Sequence, residues 1–350
     1  MIMKQNIRIP YWDNWKALAI IAVVAIHASN HTADFSNGSF NWLFGLAFRQ
    51  LIDFAVPIFF ALAGYFSSNS LEQQTKDFYF RRASRILIPY VIWTIIYILI
   101  RTPIIPPSPS EILRGLFFGE GIQVGYFVIV LLQFVFLTPI FNMVTEKQIH
   151  FLMTVVISLF GVIFTYTFFA TNPDFIWSRF PFNALPFFVW YPFYCFGYIV
   201  SRYNVEAEIK KLNSIKLFVV LLFSLGLAFI EALFWAYHNN YGFGVSQLKI
   251  TSFIASITLF IMIVHFSGKL TCMSNSSMFT WLGKNSYSIY LLHLLFLPRI
   301  QFIFNKSEWL YSFQPAFIIT TILATIICCA GLILVIKCAM PLKVSKNILG

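Results

Sequence analysis

Apolar runs long enough to cross a bilayer recur from one end of this chain to the other, and no motif restricts its fold as much. A helix rising about 1.5 Å per residue needs roughly 20 residues to cover about 30 Å of hydrocarbon. Runs of that order are read at residues 14–30, 46–68, 84–101, 122–143, 150–170, 181–201, 215–237, 247–267, 279–303 and 314–338. With 59% hydrophobic and only 11% charged residues in 350, a soluble core has no room for these side chains. The expected fold class is all-α, a polytopic transmembrane helix bundle of about ten spans. No stretch of domain size is left between the runs, so residues 1–350 read as a single membrane domain with no appended soluble domain. The first run is too long, and too polar at its ends, for a cleavable leader, and is read as a permanent span.

The net charge of +11 is informative through its placement. With the N-terminus inside, seventeen lysines and arginines fall on inner segments, Lys4, Arg8, Lys16, Arg81, Arg82 and Arg85 among them. Seven fall outside: Arg49, Arg101, Arg114, Arg179, Lys249, Arg299 and Lys306. This is the positive-inside bias of a membrane protein with both termini cytoplasmic. The basic balance records topology; no run is dense enough for nucleic acid, and the partner it implies is the lipid bilayer. Cys195, Cys272, Cys328, Cys329 and Cys338 form neither a CxxC pair nor a metal-like pairing with histidine, and read as small apolar fillers. Connections are short. In the outer loop 102–121, four prolines precede an amphipathic stretch suited to the membrane surface. A transporter shares this outline, so organisation alone leaves function open.

Ionisable groups inside spans cost roughly 2.5 to 3.5 kcal/mol near a helix centre and are functional candidates by default. Here they are His27, Asp53, Glu231, His265 and His293, with Lys16 and Arg85 near inner boundaries. Lys16 and His27 are eleven residues apart, three helical turns plus about 20°, which puts them on one face roughly 16 Å apart. Asp13, one turn before Lys16, can pair with it and suits the helix dipole. The plain alternative is a snorkelling lysine and a histidine bonded to a neighbouring helix.

Counted from the span ends, His27 and Asp53 fall at nearly the same depth. Asp53 is therefore expected to orient the His27 ring as a carboxylate does for a catalytic imidazole, unless it pairs instead with Arg49 one turn away. In FRRASRILIPY, residues 80–90, Arg82 and Arg85 stand one turn apart at an inner mouth, where arginine forks suit phosphate and where topology alone also places positive charge. Ser286, Ser288, Tyr290 and His293 form a polar run in a late span, with backbone satisfaction as the ordinary reading. No HExxH, GxSxG or P-loop is present, and His27 with His31 is too little for a metal site, so none is expected.

Five segments in order, WDNWKALAIIAVVAIHA, VPIFFALAGYF, FYFRRASRILIPY, GYFVIVLLQFVFLTPIF and LGKNSYSIYLLH, together resemble the signatures of the acyltransferase-3 family of bacterial membrane O-acyltransferases. GYFVIVLLQF is also similar to the polysaccharide intercellular adhesin modification branch, which is thought to acylate an exopolysaccharide. The resemblance implies transfer of an acyl group, acetyl from acetyl-CoA above all, to a hydroxyl of a cell-surface polysaccharide or lipid-linked sugar. Acyl-CoA would be a co-substrate rather than a bound cofactor, and polysaccharide-synthesis proteins would be partners. By motif position His27 takes the family's histidine, and Arg82 and Arg85 its RxxR pair. Lys16 stands where the family prefers arginine, keeping charge without the fork.

The candidates are thus His27 and Asp53 as catalytic residues and Lys16, Arg82 and Arg85 as donor-binding residues, with Asp13, Tyr126 and His293 secondary. His27 is expected to act as general base or through an acyl-histidine, in a multi-pass protein of the bacterial cytoplasmic membrane. An exporter or flippase of a surface polysaccharide is the alternative that uses the same helices without acyl transfer; a membrane sensor is a third.

Overall fold

In a computed structural model of the chain, the structure describes residues 9–68, 76–102, 106–172, 174–268 and 277–350. Those residues are predominantly helical and contain no strand. The helices are α1 (Pro10–Ala28), α2 (Phe40–Ile52), α3 (Ala55–Ser68), α4 (Lys76–Arg101), α5 (Pro109–Phe117), α6 (Tyr126–Met143), α7 (Lys147–Phe164), α8 (Phe187–Arg202) and α9 (Val205–Ile209). They continue as α10 (Ser214–Tyr237), α11 (Tyr241–Gly244), α12 (Ile250–Phe266), α13 (Ser277–Lys284), α14 (Ser286–Phe304), α15 (Glu308–Ser312), α16 (Gln314–Ala339) and α17 (Leu342–Leu349).

Among the described residues, eight helical segments are long and apolar enough to span a membrane. The expected spans at 181–201 and 247–267 correspond to the shorter helices α8 and α12. Both begin late for a local reason: Pro186 is the N-cap of α8 and Lys249 that of α12, so the helices start after them. The outer amphipathic stretch is α5, started by Pro109 and by a capping box between Ser108 and Glu111.

The expected span 46–68 is two helices. Pro57 lacks the N–H that would bond the carbonyl of residue 53, and its ring crowds that carbonyl, so the helix is interrupted four residues earlier, at Asp53. The interruption makes Asp53 the C-cap of α2 rather than an interior residue of a continuous helix.

α1 is the central post, packing on α2, α3, α13, α14 and α16. In its apolar window 61% of residues are buried, against 11% in α7 and 17% in α10, whose outward faces carry Phe151, Leu152, Phe218 and Phe223 to the lipid. Among the described residues the most extensively packed helix pair is α3 with α8. A Cβ on Gly64 would lie 1.9 Å from the Tyr194 carbonyl oxygen, and one on Gly197 1.9 Å from that of Ala61, so each glycine admits the other helix's backbone. Both described chain ends lie on one face of the bundle: Gly283 abuts Asp13, Ser288 Oγ donates to the Leu349 carbonyl (2.7 Å), and Trp93 Nε1 donates to that of Ile348 (2.9 Å). At that face Glu206 joins α9 to α3 by accepting from Tyr65. Burial acts to raise the Glu206 carboxyl, but hydrogen bonds from Lys210 and Tyr65 outweigh it and hold the group below its usual range.

Cys195 and Cys329 are buried, Cys328 is partly buried and Cys338 is exposed, all as free thiols; Cys272 lies outside the described residues.

Candidate active site

His27 lies in the last turn of α1, and the end of that helix is held from two sides. The last carbonyls of a helix have no partner within it and attract positive charge. Arg49 from α2 supplies that charge, its Nη1 donating to the Ile26 carbonyl (3.5 Å) and its Nη2 to Val245 (2.7 Å). Gln301 from α14 donates to the carbonyls of His27 (3.4 Å) and Ala28 (3.3 Å). The turn bearing the imidazole is thus fixed by three elements while the ring itself stays half-buried.

His27 and Arg49 line a cavity of about 270 Å³ whose walls include Tyr126, Phe180, Asn183, Trp190, Gln247 and Tyr290. Tyr126 stacks on Trp190 at 5.8 Å and meets Phe180 edge-on at 5.4 Å. A second cavity shares His27, Val124 and Phe180 with the first and is bounded also by Arg101, Glu120 and Gln123. The His293 ring is centred 5.3 Å from that of His27 and is fully buried.

Asp53 does not reach His27, and the expected orienting contact is corrected here. Because the chain turns at Asp53, its carboxylate faces α12, where Oδ2 accepts from Ser252 (3.1 Å) and Lys249 (3.5 Å) and Oδ1 lies 3.9 Å from Arg49 Nε. Lys249, counted among the outer charges, is fully buried, with Gln50 Oε1 at 3.0 Å and the Ser246 carbonyl at 2.8 Å. Arg49, also counted among the outer charges, is the cation beside His27. Sequence reasoning gave neither residue a site role. Two cations flanking one buried carboxylate need the end of α2 to meet the start of α12, and only the polar residues Ser246, Gln247 and Lys249 hint at it. Glu231, one of the ionisable candidates within the spans, accepts from Tyr166 on the π-helical continuation of α7 and from Thr251, pinning α10 to α12.

Lys16 and Arg82 meet in another cavity, of about 360 Å³, toward the face that holds the chain ends. Lys284 joins them there, because Gly283 lets α13 press on the α1 backbone at Asp13. Asp13 is buried 3.7 Å from Lys16 Nζ, which also sits 5.1 Å from the Phe66 ring centre. Arg82 donates to Ser67 Oγ (3.0 Å) and the Ala63 carbonyl (3.4 Å). Arg85 is exposed one turn on and is not among the residues lining this cavity, so the two arginines of the RxxR pair part company. Tyr290 is common to the walls of this cavity and the His27 cavity; its hydroxyl donates to the Val124 carbonyl and its ring lies 5.0 Å from Phe127.

Fold and site together define a multi-pass membrane protein with a histidine set in a bundle-embedded cavity and a cation-lined cavity that shares Tyr290 with it. The family model Acyl_transf_3, described as an acyltransferase domain, matches residues 9–334, and the chain belongs to that family of membrane acyltransferases. No curated protein and no solved structure matches the chain.

Proposed function

We propose that this protein moves an acyl group, acetyl from acetyl-CoA in the first instance, to a hydroxyl of a cell-surface polysaccharide or lipid-linked sugar at the cytoplasmic membrane of a bacterium. The observation that carries this reading is the pair of cavities meeting at Tyr290, one with His27 and Arg49, the other with Lys16, Arg82 and Lys284. Three cations around an otherwise apolar cleft suit the phosphates and apolar arm of an acyl-CoA. The aromatic walls of the other cavity, Tyr126, Trp190 and Phe180, suit the faces of a sugar ring. The inner excess of lysine and arginine orients the cation-lined cleft to the cytoplasm, where acyl-CoA is made.

In this mechanism His27 takes the proton of the acceptor hydroxyl as its oxygen attacks the thioester carbonyl. A C–O bond forms, the C–S bond breaks, and the proton passes from the imidazolium to the departing CoA sulfur. Arg49, beside the imidazole, stabilises the negative charge that develops on the carbonyl oxygen. Asp53 acts at one remove, holding Arg49 and Lys249.

The test is acyl transfer from radiolabelled acyl-CoA to glycan in membranes. His27→Ala is expected to lose about 10²-fold to 10⁴-fold in rate with unchanged membrane abundance. Lys16→Ala and Arg82→Ala are expected to raise KM for acyl-CoA by about 10-fold each, the loss of a hydrogen bond to a charged group. Export of glycan without any acyl transfer by the unsubstituted protein would sink the reading in favour of a transporter, and full transfer activity of His27→Ala would remove His27 from the chemistry.

A further inference from the structure

His293 shows a defined deficit in its hydrogen bonding. Its Nδ1 lies 2.7 Å from the Tyr290 carbonyl, one turn back on α14. A carbonyl oxygen only accepts, so Nδ1 carries the hydrogen. In a neutral ring Nε2 is then a bare lone pair, and it is buried without any hydrogen-bond partner among the described residues. Buried polar atoms are rarely left so, since the deficit costs about 1–3 kcal/mol. The ring facing this one is that of His27, whose own nitrogens make no hydrogen bond among the described residues. An acceptor lacking a donor and an imidazole lacking a partner thus stand with centroids 5.3 Å apart, tilted by 42°.

Resting on the acyltransfer reading above, we propose that His293 is the positioning residue for His27: its Nε2 accepts the N–H of one His27 nitrogen and leaves the other, a lone pair, facing the cavity as the base. This is the task expected of Asp53 from the sequence, carried out by a neutral acceptor. The Tyr290 carbonyl fixes the His293 tautomer, and His293 in turn fixes that of His27. A rotation of the half-buried His27 side chain completes the bond. When His27 takes the hydroxyl proton, its second N–H remains on His293, which donates and accepts nothing further, so the proton is free to leave for the CoA sulfur.

Steady-state kinetics on the full chain in proteoliposomes test the pairing. His293→Leu is expected to lower kcat by about 10²-fold, the scale of a misplaced catalytic group, while KM for acyl-CoA stays near its original value. His293→Gln, which can set an amide oxygen near the Nε2 position, is expected to recover most of kcat. His293→Asn, whose amide reaches only to the Nδ1 position, is not. Full kcat in His293→Leu, or equal activity of the two amides, overturns the pairing. If the leucine variant fails to reach the membrane, ring ¹⁵N shifts of the unsubstituted protein decide. His27, assigned by the signal lost in His27→Ala, is expected in one fixed tautomer, and tautomer averaging overturns the pairing. An inactive His27→Ala with a fully active His293→Leu removes only the pairing; no acyl transfer by the unsubstituted protein removes the acyltransfer reading itself.

Discussion

At the scale of single residues, the Asp53 carboxylate decides where charge can sit beside His27. It is buried between Lys249 and Arg49 and accepts from Ser252, and without it the two cations would lose the carboxylate that lies between them. Removing one partner of a buried pair costs about 3–5 kcal/mol because the other charge stays behind. Asp53→Asn is therefore expected to lose thermal stability and activity together. Lys249→Met in the same chain is expected to restore part of the stability, which a double-mutant cycle on detergent-solubilised protein reads as a coupling energy; strictly additive losses would show that the two do not interact. The depth of Asp53 was legible in the sequence and its direction was not. Counting turns places it level with His27, but the interruption that turns it toward α12 comes from Pro57, four residues on, which a count of depth does not include.

Among elements, the crossing of α3 and α8 sets the spacing on which the cavities depend, since Val56 of α3 and Trp190 of α8 both line the His27 cavity. Gly64 and Gly197 each accept the other helix's carbonyl where a methyl group would lie 1.9 Å from an oxygen. Gly64→Ala is expected to force the pair apart at about 1–3 kcal/mol of strain. A lowered melting temperature and a loss of transfer would register it; an unchanged melting temperature would mean the helices separate at no cost. The positions and apolar character of these helices could be read from run length alone. Which helices face lipid could not, because α1 and α7 are nearly equal in length, 19 and 18 residues, and run length says nothing of the neighbours the fold gives them. For the same reason Lys16 and Arg82 could be matched to a donor site from sequence, whereas Lys284, brought in by the α13 contact, could not.

For the whole molecule, charge and architecture agree. The face that gathers both described chain ends also holds Lys16, Arg82 and Lys284, in keeping with the asymmetry that the sequence reads as an inner surface. The bundle is hollowed from both directions, and the two hollows stop at the same phenol ring. A membrane that carries an ion gradient tolerates an enzyme of this shape only while that ring keeps the hollows apart. Tyr290 therefore works as electrical insulation, whatever else it touches. Proteoliposomes holding Tyr290→Ala are expected to dissipate an imposed proton gradient faster than those holding the unsubstituted protein, as a pH-sensitive dye reports; an equal rate would mean that other side chains close the gap. On the proposed reading, passage of an acyl group between the two hollows requires the Tyr290 side chain to move aside, so the same residue would govern transfer and membrane seal.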